Sequence, residues 1–172
     1  MATSDTAPAG GGERISDGPA RQGSFVIARE ELTITHARYA AGEPVAGPHV
    51  HRRHTDAFYV LEGELIFEIG REGEAISVSA GGFVAAPAGV AHSFRVADSG
   101  PARWLTIHAP DGGFAAFMRG LRDGVEVEWD IAAVPADGGL PASSAIVRTA
   151  LPRAGRGSRS SRRGEAPSGP QS

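Results

Sequence analysis

The sequence predicts an all-β protein, a barrel or sandwich of short strands with one short helix towards its C-terminal side. Two observations carry this. Short runs rich in β-branched and aromatic residues, or alternating apolar with polar, recur through the middle of the chain. Clusters of turn-forming Gly, Pro, Asp and Ser fall between them. Many short strands at near-regular spacing pack as a sandwich or close as a barrel.

Strands are expected at 24–28, 32–40, 57–61, 64–69, 75–79, 83–86, 92–97 and 103–109, with turns at 42–44, 62–63, 70–73, 81–82, 87–89 and 98–101. Gly63 and Gly89 sit where those turns require φ > 0. Asp111 can cap a helix, because Phe114, Phe117, Met118 and Leu121 follow at helical spacing. Residues 125–129 read as one more strand-like run. Residues 1–22, with little apolar surface to bury, are expected to be a disordered tail. The barrel domain is expected over 23–134, an irregular extension over 135–151, and a disordered Arg-rich tail over 152–172.

Composition narrows the function. The 172 residues include no cysteine, which excludes disulfides and zinc-thiolate sites. All 17 basic residues are arginine, and asparagine is absent too, a pattern of GC-rich coding more than of chemistry. The net charge of −3 divides into about +5 from Arg148 onward and about −8 before it. An acidic globular part without a helix-turn-helix is not a nucleic-acid binder by default. No apolar run approaches the roughly 18 residues that span a bilayer, and no secretory leader is visible. A cytoplasmic location is expected.

Chemistry concentrates in two stretches. The first is Gly47-Pro48-His49-Val50-His51-Arg52-Arg53-His54-Thr55-Asp56, followed by an apolar run that ends at Gly63. Residues i and i+2 of a strand share a face, so His49 and His51 reach one point. Asp56 shares parity with Phe58 and Val60 and points inward with them. The second runs from Gly81 through Pro87 and Gly89 to His92, which opens a strand beside Phe94 and Val96. His54 is placed at the mouth or surface, with a substitute ligand or a nearby base as the alternative. His36 and His108 lie on strands outside both stretches and are left out.

His-x-His-x4-acid-x6-Gly followed by Gly-x5-Pro-x-Gly-x2-His resembles the two-motif signature of the cupins, and the likeness runs from about residue 24 to 122. The run Ala57-Phe58-Tyr59-Val60-Leu61-Glu62-Gly63 is similar to small quercetin-dioxygenase-like members. The resemblance implies a double-stranded β-helix, a jelly-roll barrel. It also implies one divalent metal held by His49, His51, Asp56 and His92. Two departures stand out: Asp56 replaces the usual Glu, and Val96 replaces a frequent Asn. The sulfur-free donor set suits Fe, Mn, Ni, Co, Cu or Zn. The function implied is a metal-dependent oxygenase acting on a small chelating enol, phenol or diketone, with Asp56 and His54 as proton-transfer groups. A non-redox isomerase or lyase, or a non-catalytic ligand-binding cupin, are the alternatives. A homodimer is expected, because strand 24–28 would otherwise be an exposed edge.

Overall fold

The computed structural model describes residues 12–149. Its strands, in chain order, are β1 (Arg14–Asp17), β2 (Arg21–Ala28), β3 (Thr33–Tyr39), β4 (Pro44–His49), β5 (Thr55–Glu62), β6 (Glu64–Ile69), β7 (Glu74–Ser79), β8 (Phe83–Ala86), β9 (His92–Val96) and β10 (Ala102–Ala109). Helix α1 (Phe114–Asp123), a 3-10 turn (Ala142–Ser144) and β11 (Ile146–Arg148) follow. The strands form two antiparallel sheets, ordered β1-β2-β3-β10-β5-β8-β11 and β4-β9-β6-β7. Sequence neighbours are repeatedly separated in space, as in a double-stranded β-helix. The expected fold class is the observed one.

The core follows from the period of two. In β6, Leu65, Phe67 and Ile69 are fully buried, while Glu68 faces out. Phe58, Phe67 and Phe94 meet between the sheets with ring centroids 4.6–5.3 Å apart, and Trp104 stands edge-on to Phe94 at 5.9 Å. Removing one such ring costs about 3–5 kcal/mol in a well-packed core. Gly63 and Gly89 have the positive φ expected of them, 73° and 83°.

Several boundaries are corrected. Part of the stretch expected as a disordered tail, 1–22, is ordered, because β1 pairs with β2 and Glu13 accepts hydrogen bonds from Arg119 and Arg122 of α1; residues 1–11 lie outside the described residues. Strand β2 is therefore not an edge, since β1 flanks it. Strand β4 is not among the expected strands: the expected turn over 42–44 takes in Pro44, and Gly47 and Pro48 interrupt the strand pattern before His49. Residues 125–129 make no ladder. Trp129 instead stacks on Phe117 of α1 at 5.1 Å, while Val125 is exposed. Over 135–149 the chain carries the 3-10 turn and β11, which adds a strand beside β8. The expected tail at 152–172 lies outside the described residues. Asp111 caps α1 from two residues before Gly113, accepting from the Gly113 and Ala115 N–H groups. Among the described residues no helix is long and apolar enough to cross a membrane.

Candidate metal centre

Two cross-strand pairs bring the site together. The β4–β9 register sets His49 opposite His92, and the β10–β5 register sets His108 opposite Asp56. The sheets face each other, so the pairs meet at one mouth of the barrel. His51 follows β4 after Val50, which is tied to Ala132 by two backbone hydrogen bonds.

The three motif imidazoles are oriented by the backbone. His49 donates its Nδ1–H to Gly47 O at 2.8 Å, and His92 donates to Val90 O at 3.1 Å. His51 donates to Asp130 O. Each Nε2 is thereby left with its lone pair, the tautomer a metal requires. These atoms converge. His49 Nε2 lies 3.1 Å from His51 Nε2, and Asp56 Oδ2 lies 3.2 Å from His51 Nε2 and 3.4 Å from His92 Nε2. One donor atom from each of the four falls within 4.8 Å of all the others. Bonds of about 2.1 Å to one ion put neighbouring donors about 3.0–3.4 Å apart. Lone pairs aimed at each other and at a carboxylate repel unless a cation or proton lies between them. Burial, reinforced by the neighbouring His92, pushes His49 down to about 4, so that ring is neutral at pH 7. The four residues expected from the two motifs are together, and the set could hold a metal.

His54 lies at the barrel mouth and is only 1% exposed, so of the two placements, mouth or surface, the surface one is corrected. The surface expectation assigns His54 the opposite parity to Asp56, but counting by two from Asp56 reaches His54, and both point inward. Its Nδ1 donates to Asp130 Oδ2 at 2.9 Å, and its Nε2 lies 3.2 Å from Asp56 Oδ1. Burial alone would lower the His54 pKa, but Asp56 and Asp130 outweigh it and raise it. Burial likewise works to raise Asp56, yet His108, His51 and His54 hold its carboxyl well below the usual range.

Two residues of the site were missed. His108, 1% exposed, brings Nδ1 to 2.5 Å from Asp56 Oδ1 and stacks on Phe114 at 3.6 Å. Its signal was present, because it shares parity with the inward Trp104 and Thr106. Asp130 accepts from the Arg52 and Arg53 N–H groups as well as from His54. It had no local signal. Burial works to raise its carboxyl, and these donors outweigh that and hold it low. His36 stays outside, facing Arg103 at 3.3 Å.

A cavity of about 360 Å³ opens beside the cluster. Phe94, Trp104, Phe114, Phe117 and Trp129 form much of its wall, and His49, Asp56 and His108 supply a polar patch. This suits a small, largely apolar molecule with one polar end.

A double-stranded β-helix with three imidazoles and a carboxylate gathered at one mouth defines a cupin. Residues 35–108 match the family model described as Cupin domain, and the chain is a member of the cupin superfamily. It is 36% identical over 78 residues to quercetin 2,3-dioxygenase of Bacillus subtilis (strain 168), a match covering 45% of this chain and 22% of that protein. The chain thus spans about a fifth of the length of that curated relative. The solved structure of KdgF from Halomonas sp. is similar at a TM-score of 0.50 and 26% identity, covering 57% of this chain and 86% of that one.

Proposed function

We propose that this cupin binds one divalent metal ion through His49, His51, Asp56 and His92. We further propose that it acts as a metal-dependent oxygenase on a small chelating enol, phenol or diketone. The observation that carries the reading is the convergence of three backbone-oriented Nε2 atoms and Asp56 Oδ2 beside an aromatic-walled cavity. The likeness to a quercetin 2,3-dioxygenase supports the choice of reaction.

A bound ion supplies Lewis acidity and, for the redox-active metals, reactivity towards dioxygen. The chain's own residues do the rest. The aromatic wall stacks the substrate and excludes water, which strengthens every charge interaction inside. Asp56 lines the cavity and faces the acidic oxygen of an enol or phenol. Its low pKa makes it a poor final acceptor, so the proton passes on to His54, which Asp130 holds in place. The same line of groups favours a second reading, a non-redox isomerase or lyase, because it moves protons whatever the metal does.

Oxygen uptake by the Fe, Mn, Ni and Co forms with flavonols, diketones and catechols tests the reading. Uptake is expected with at least one pairing. Metal-dependent isomerisation without uptake would replace it with the second reading.

A further inference from the structure

We infer that the same barrel mouth binds a second divalent cation, held by His54 Nε2, His108 Nδ1 and Asp56 Oδ1, with Asp56 bridging the two ions. The inference rests on the first site being a metal site.

The carboxylate of Asp56 is divided between two sets of imidazoles. Oδ2 faces His51 at 3.2 Å and His92 at 3.4 Å. Oδ1 faces His54 at 3.2 Å and His108 at 2.5 Å. His54 Nε2 and His108 Nδ1 are themselves 3.4 Å apart, so these three donors form a triangle of their own, whose 2.5 Å side must open by about 0.5 Å to seat an ion between them. All three residues are buried, at 1–4% exposure. Despite the close approaches, Asp56 Oδ1 has no hydrogen bond of acceptable geometry, an orphaned anionic oxygen in the interior. Such an oxygen is costly to bury unpaired.

The tautomer of His54 agrees. Its Nδ1–H is committed to Asp130 Oδ2 at 2.9 Å, which leaves Nε2 as a lone pair aimed at Asp56 Oδ1. A carboxylate–imidazole–cation line is the usual support for a metal-bound histidine. Carboxylates bridge paired ions at separations of about 3.5–4 Å. Three protein donors against four make the second site the weaker, and its N and O donors suit Zn(II), Co(II) or Mn(II).

Calorimetric titration of the metal-stripped full chain with Co(II), followed by visible absorption, tests this. Two equivalents are expected in the unaltered chain, the second at least tenfold weaker. His108→Ala and His54→Gln are each expected to bind one equivalent at the unaltered tight affinity. In Mn(II)-loaded protein, electron paramagnetic resonance is expected to show two coupled ions, lost in either variant. Circular dichroism of the stripped variants checks that they fold, and the coupling signal in the unaltered chain gives a result independent of any variant. A single equivalent in the unaltered chain, with no coupled signal, would overturn the second site and leave the first standing. No binding at all would overturn both.

Discussion

His51 donates its Nδ1–H to the backbone carbonyl of Asp130, a residue 79 positions further along the chain. This bond joins the first histidine motif to the segment after α1. The Asp130 side chain closes the same joint, accepting from Arg52 N, Arg53 N and His54 Nδ1. The geometry of the candidate centre therefore depends on a residue that offers no ligand to it.

Asp130→Ala removes three hydrogen bonds to a carboxylate and leaves buried donors unpaired. A loss of about 2–4 kcal/mol in unfolding free energy is expected. The backbone carbonyl that orients His51 is kept and the lost partner is that of His54, so the weaker, second metal affinity is expected to fall about 10–100-fold while the tight one changes little. Denaturant unfolding of the stripped chain and a metal titration check the two effects. Unchanged affinity with reduced stability would confine Asp130 to a structural role.

Gly112 has φ of 62°, and a Cβ added there would lie 2.6 Å from His54 Nδ1 and 3.2 Å from Asp130 Cβ. Gly112→Ala is therefore strained twice, in its backbone and against the His54–Asp130 pair. A cost of about 1–3 kcal/mol is expected, with the His54 ring displaced. The ring's nitrogen shifts in nuclear magnetic resonance read that displacement directly.

The metal-free fold is expected to weaken as pH falls from about 6.5 towards 4. His49 is held down to about 4 by burial, whereas an unfolded histidine titrates near 6.5. Between these values the unfolded chain binds the extra proton and the folded chain does not, so stability rises with pH across that window. Above about 6.5 this contribution is fully present. Melting temperatures of the unaltered chain and of His49→Gln, measured across the window, check it. The variant should lose part of the slope.

Residues 14–17 are expected to matter although they were read as part of a tail. Removing residues 1–22 deletes β1, exposes the edge of β2 and breaks the Glu13 pairs with Arg119 and Arg122. A lowered melting temperature is expected. Those ion pairs are exposed and contribute at most about 1 kcal/mol, so Glu13→Gln alone should cost much less than the deletion. Differential scanning calorimetry of both separates strand pairing from charge.

Most of the fold was legible where burial and period agree. β3, β6 and β10 alternate because one face meets the core and the other meets solvent or a neighbouring strand. Strand β1 was not legible: Ile15 is the one apolar residue in Arg14–Asp17, and pairing with β2 decides its structure. Strand β4 was hidden by Pro44, Gly47 and Pro48, and its ladder with β9 is correspondingly irregular. Of the centre, His49, His51, Asp56 and His92 were legible because each lies in a motif with local spacing. His54 and His108 could have been found by counting in twos from Asp56 and Trp104. Asp130 could not, because its partners lie 76–79 positions away and nothing local marks it.

The central claim is the metal centre at the barrel mouth, and elemental mass spectrometry of the dialysed protein tests it most directly. The unaltered chain is expected to retain about one divalent ion per chain, and His51→Ala and His92→Ala less than a tenth of that, because each removes one of the four converging donors. Full occupancy in both folded variants would contradict the account.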